Sequence, residues 1–229
     1  MNILAFMAHA DDAAYFCGGT LLKYKALGHN IFIALTTGQE VPCGAEQMDA
    51  SVRYIGFEAG QVRDDMTSRA AALTAIRWAN ADIIITHALW DGDSDHAITA
   101  KLAADSLLVV GGKLHPADLP PTSKLPHLFY TDTIVGNSLA NRPYFSNYRT
   151  NDQSFYLTPG VYSNDWYEPE AYVDISEYAE AKFAMLRDDA LNASKIQSRL
   201  RGVQMGVKYS EAFTGHRIVG LVADYRLLP

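Results

Sequence analysis

The chain alternates short apolar runs with longer amphipathic stretches. Ile3-Leu4-Ala5-Phe6 opens it as an uninterrupted apolar run, so residues 2–8 read as a strand buried on both faces. Residues 14–27 read as a helix stopped by Gly28. Ile31 to Thr36 is a second apolar strand. Ala45 to Tyr54 reads as a helix broken by Gly56, and Met66 to Asn80 as a further helix. The β-branched run Ile83-Ile84-Ile85-Thr86 predicts another buried strand, followed by a loop over 87–95 and a helix from His96 to Val110. A proline-rich connector over 113–126 leads to a strand at 127–133. Tyr172-Val173-Asp174-Ile175 leads into a helix over 176–191, with Asp174 and Glu177 at capping-box spacing. A last helix is predicted over 194–203 and a terminal strand over 217–225.

Strands alternating with helices imply parallel pairing through right-handed crossovers. The expected fold is therefore α/β and Rossmann-like, a mostly parallel sheet flanked by helices. Residues 136–170 break the alternation. They have no period and many rings, Tyr144, Phe145, Tyr148, Phe155, Tyr156, Tyr162, Trp166 and Tyr167 among them. A stretch of that kind predicts a long structured loop or lid. The 229 residues are read as a single domain.

Composition narrows the partners. The hydrophobic content of 48% and charged content of 20% are those of a water-soluble globular chain. A net charge of −7 lacks the basic footprint of nucleic-acid or anionic-membrane binding. No leader or membrane span is read, and the two cysteines, Cys17 and Cys43, suggest no disulfide framework, so a cytoplasmic location is expected. Thirteen tyrosines and three tryptophans suit contacts with a small ligand or with a second copy in a homo-oligomer.

The chemistry gathers at three strand ends. The first carries His9, Asp11 and Asp12; the second Thr37, Gln39 and Glu40; the third His87, Asp91, Asp93, Asp95 and His96. In open α/β sheets, ligands bind where such ends converge. Two adjacent carboxylates repel unless a cation, a proton or a partner compensates them. Packing and helix capping would use one Asp, not two with a His. Two neutral imidazoles and one carboxylate hold a divalent ion with open positions, the pattern of a catalytic site. The remaining Asp is then free to move protons. No G-x-G-x-x-G follows the first strand, which disfavours a dinucleotide site.

His9-Ala10-Asp11-Asp12 resembles the A-H-P-D-D-E signature of the LmbE-like, PIG-L-type zinc deacetylases, and Cys17-Gly18-Gly19-Thr20-Leu21 continues it. Asp93-Ser94-Asp95-His96 resembles that family's H-x-D-H element. Tyr172-Val173-Asp174-Ile175-Ser176 and Tyr209-Ser210-Glu211-Ala212-Phe213 resemble its later F-V-D-I-S and A-E-A-F stretches. The resemblance implies a Rossmann-like deacetylase fold, one Zn2+ per chain, and removal of an acetyl group from an N-acetylglucosamine-type amine. It implies His9, Asp12 and His96 as metal ligands and Asp11 as the base. Asp93, Asp95, His87 and Gln39 are then candidates for substrate contact or for support of the ligands. The chain departs from the family pattern where Ala10 replaces Pro, Ala13 replaces Glu, and Asp93 replaces the first His of H-x-D-H. The last change leaves a second reading, a weakly active or non-catalytic relative that binds metal or sugar.

Overall fold

A computed structural model describes residues 1–89, 91–113, 118–132 and 169–216. The predicted loop over 136–170, with its rings, and the predicted terminal strand over 217–225 lie essentially outside these residues. The elements run β1 (Asn2–Met7), α1 (Asp12–Ala26), β2 (Asn30–Thr37), β3 (Ser51–Phe57), α2 (Met66–Ala79), β4 (Ile83–Thr86), α3 (Ser94–Leu107), β5 (His127–Thr131), β6 (Ala171–Asp174), α4 (Ala179–Ala184), α5 (Asp188–Met205) and β7 (Ser210–Gly215).

Among the described residues the strands form one sheet in the order β3-β2-β1-β4-β5-β7-β6. β1 to β5 are parallel neighbours, and β7 runs antiparallel to both β5 and β6. The expected α/β class and mostly parallel sheet are both present. β1 explains why its sequence is apolar without alternation. Ile3, Ala5 and Met7 pack in a cluster with α1 and residues near α4. Leu4 and Phe6 pack in the opposite cluster with α2 and α3. The chain leaves β1 toward β2 on one side and returns to pair β4 on the other. That reversal opens a crevice at the carboxyl ends of β1 and β4.

Two expected helices are corrected. Residues 45–54 do not form one; turns over 43–49 lead into β3, an edge strand with a half-buried pattern. The predicted helix over 176–191 is divided between α4 and α5, and the last helix is longer than predicted, starting at Asp188. Asp188 has φ +47°, a left-handed conformation that interrupts helical continuity. Asp174 makes no capping box with Glu177; its Oδ1 accepts from the N–H and hydroxyl of Ser176, at 2.9 and 2.6 Å.

A buried ion pair fastens α1 to the antiparallel end of the sheet. Lys182 and Glu211 are 1% and 4% exposed, with Nζ and Oε1 2.7 Å apart. Glu211 also accepts from the N–H groups of Gly19 and Thr20, at 2.9 and 2.7 Å. Gly19 lets α1 come this close, because a Cβ there would lie 2.7 Å from Ile175. Replacing Lys182 with Met leaves a buried carboxylate without its cation. Such a loss costs about 3–5 kcal/mol, and urea unfolding of Lys182→Met is expected to show it. A loss below ~1 kcal/mol would mean the backbone N–H groups already satisfy Glu211.

Candidate metal centre

The turn after β1 is held from both sides before any ligand is considered. The Ala8 carbonyl accepts from Thr37 N and Oγ1 of β2, at 3.0 and 2.7 Å. The Ala8 N–H donates to His87 Nε2 beyond β4 at 2.9 Å. Cys43 N donates to the Ala10 carbonyl at 2.7 Å. These bonds fix the direction in which residues 9–12 leave the sheet.

His9, Asp12 and His96 converge in the crevice. His9 Nδ1 lies 3.2 Å from His96 Nε2 and 3.4 Å from Asp12 Oδ2. His96 Nε2 lies 3.4 Å from Asp12 Oδ1. A tetrahedral ion with bonds of about 2.0–2.1 Å spaces its donors by about 3.3 Å. The separation of His9 Nδ1 from His96 Nε2 matches that spacing, and each ring is approached by a different oxygen of Asp12. Two overlapping clusters of donors occur here, His9 with Asp93 and His96, and Asp12 with His87 and His96, each with its donor atoms within 4.8 Å of one another.

The far nitrogens of both ligand-candidate imidazoles face carboxylates. His9 Nε2 is 3.4 Å from Asp95 Oδ2, and His96 Nδ1 is 3.1 Å from Asp91 Oδ2. Where such a carboxylate accepts the far N–H of a ring, the other nitrogen is left bare to bind a cation. Asp95 is itself buried and accepts from Gly60 N and Val62 N, at 2.5 and 3.2 Å. Asp91 had no role assigned from the sequence alone. Its separation of five residues from His96 across a loop carries no periodic signal.

Asp12 is the hub. It begins α1, is 5% exposed, and its Oδ2 accepts from the His9 N–H at 2.6 Å. Burial alone would push its carboxyl up; the neighbouring imidazoles, His87 foremost, outweigh burial and hold it well below the usual range. The α1 N-terminus adds favourable dipole charge. Burial works against a proton on His96, yet Asp12 and Asp91 overcome it and raise that imidazole to about 10. The Asp12 hydrogen bond likewise raises His9. A pocket that holds protons this firmly on imidazoles is one in which a cation is strongly favoured, and a metal must displace those protons to bind.

His87 is fully buried and differs from the other two. Its Nε2 already accepts from Ala8 N and lies 3.1 Å from Asp12 Oδ2. Burial pushes its pKa down, against the opposing pull of the Asp12 carboxylate. It stacks on His96 with centroids 3.8 Å apart at 6°, while Phe16 packs edge-on to both rings. His87 thus supports Asp12 and His96 from behind.

Asp11 is the N-cap residue of α1 but makes no side-chain cap bond, and it is exposed. Helix capping does not account for it. Asp93 is exposed and does cap a helix: its Oδ1 accepts from Asp95 N and His96 N at the start of α3, at 2.7 and 3.4 Å. Gln39 is exposed after β2, and among the described residues no hydrogen bond joins it to the cluster. Among the described residues no helix is long and apolar enough to cross a membrane.

Residues 4–107, which contain the whole cluster, match the family model of PIG-L, the GlcNAc-PI de-N-acetylases. Three solved structures share the fold. A conserved protein of Thermus thermophilus superposes with a TM-score of 0.74 at 21% identity, over 99% of each chain. The N,N'-diacetylchitobiose deacetylase of Pyrococcus horikoshii gives 0.71 at 15% identity, over 97% of this chain and 86% of its own. The 4-carboxy-2-hydroxymuconate hydratase of Pseudomonas putida gives 0.70 at 15% identity, over 97% of this chain and 100% of its own. The deacetylase and the hydratase are equally distant, so the fold by itself does not choose the reaction.

Proposed function

We propose that this chain, whose residues 4–107 carry the PIG-L pattern, is a metal-dependent hydrolase that removes an N-acyl group, acetyl in the first instance, from a small sugar-like amine. The observation that carries the reading is the convergence of His9 Nδ1 and His96 Nε2, 3.2 Å apart, on the Asp12 carboxylate, whose Oδ2 and Oδ1 lie 3.4 Å from the first and the second. These three residues would hold one divalent ion, Zn2+ in the simplest case. When bound, such an ion polarises the acyl oxygen and lowers the pKa of water beside it to about 7.

The remaining work falls to the chain. Asp12, His9 and His96 keep their geometry through the Asp95, Asp91 and His87 contacts. Asp11, uncommitted by capping, accepts the proton from the water that attacks the carbonyl carbon. As the C–N bond breaks, Asp11 returns that proton to the leaving nitrogen. The exposed Asp93 stands where an imidazole is expected, and this favours keeping the binding-protein reading as the competitor.

The test is metal content together with acetate release from a panel of N-acetyl amino sugars. One equivalent of divalent ion and release abolished by a chelator are expected. Firmly bound metal with no release from any member of the panel would favour a binding protein. No metal uptake after zinc reconstitution would reject both readings.

A further inference from the structure

The carboxylate of Asp93 serves two neighbourhoods at once. Its Oδ1 caps α3 through the N–H groups of Asp95 and His96. A donor oxygen of the same side chain lies within 4.8 Å of donor nitrogens of His9 and His96. Capping pins the side chain, so little conformational freedom remains to be lost on binding an ion. Among the described residues, no Lys or Arg forms an ion pair with Asp93. A fixed, unpaired carboxylate beside two imidazoles has the charge and the chemistry of a metal ligand.

We propose that Asp93 is a fourth protein ligand, so that the ion is held by His9, Asp12, Asp93 and His96. The inference rests on the metal reading above. Two carboxylates cancel the charge of a divalent ion and add an oxygen donor. Four protein ligands close a tetrahedral zinc site. Turnover then requires an ion that accepts a fifth or sixth donor, and oxygen-rich sets of this kind suit Mn2+ and Fe2+. The substitution that removes an imidazole from the wall of the site thereby changes which ion the site serves best.

Asp93→Ser tests this, because Ser caps a helix well but is too short to reach the ion. Thermal unfolding of the metal-free variant is expected to match the parent. Affinity for Mn2+ and Zn2+, measured by competition with a chelator, is expected to fall at least about tenfold. Loss of a nearby charge could lower affinity without loss of a ligand, so the visible spectrum of the Co2+-loaded protein is the deciding readout. Its bands are expected to shift in Asp93→Ser and to stay in place in Asp11→Asn. An unchanged Co2+ spectrum in Asp93→Ser overturns the inference while leaving the metal reading intact. A parent protein that binds none of the three ions overturns both.

Discussion

Asp12→Ala is expected to lower affinity for a divalent ion by about a hundredfold or more, a larger loss than any supporting residue gives. Asp12 places Oδ2 3.4 Å from His9 Nδ1 and Oδ1 3.4 Å from His96 Nε2. The same carboxylate takes the His9 N–H at 2.6 Å, which locks the turn after β1. On the proposed reading its removal strips a ligand and frees the backbone that aims another. A second consequence is visible without metal. His96 is held at about 10 by Asp12 together with Asp91. Without Asp12 the imidazole should titrate well below 10 in an NMR titration. Chelator competition provides the first measurement. If Asp12→Ala binds metal as tightly as the parent, the ion belongs to the other cluster, His9 with Asp93 and His96, and Asp12 serves only as the acceptor for the surrounding N–H groups.

How much of this was legible in the sequence follows from how each element is stabilised. β1, β2 and β4 could be read because strands buried on both faces need unbroken apolar runs, and Ile83-Ile84-Ile85 has no helical alternative of sufficient length. β3 could not. Ser51–Phe57 is an edge strand with Arg53 near its start, and its half-buried positions mimic an amphipathic helix. The break before α5 was also hidden, since it rests on a left-handed Asp188 and not on Gly or Pro. His9, Asp12 and His96 were legible because strand ends and a helix start bring them together. Asp95 could be named only as a candidate for substrate contact or ligand support, and Asp91 was given no role, because spacing does not show which ring nitrogen each carboxylate faces. Gln39 lies at an appropriate strand end but one strand further from the crevice, beyond Thr37.

A hydratase and a deacetylase share this fold, and water is a reactant in both classes of reaction. What separates such reactions is where charge develops and which group handles the proton. In this chain Asp93 stands where the PIG-L pattern has an imidazole, and a carboxylate cannot offer a developing oxyanion the hydrogen bond that an imidazole can. An added ligand at that position would temper the ion and shift more of the work onto the proton carrier. The identity of that carrier is therefore the next point to fix.

Asp11→Asn is expected to lower kcat by about 10²–10⁴ while metal affinity stays near that of the parent. The substitution keeps the size of the side chain and removes its ability to accept a proton. It should do little to α1, because Asp11 makes no side-chain cap bond there and its backbone carbonyl still accepts from Tyr15 N at 2.9 Å. Three outcomes separate the roles of the two exposed carboxylates. Rate lost with metal retained in Asp11→Asn assigns the base to Asp11. Rate kept in Asp11→Asn, but lost with metal retained in Asp93→Asn, moves the base to Asp93 and removes that residue from the ligand set. Rate and metal lost together in Asp93→Asn, with only rate lost in Asp11→Asn, gives Asp93 to the ion and Asp11 to the proton, the division that their different hydrogen bonding already favours.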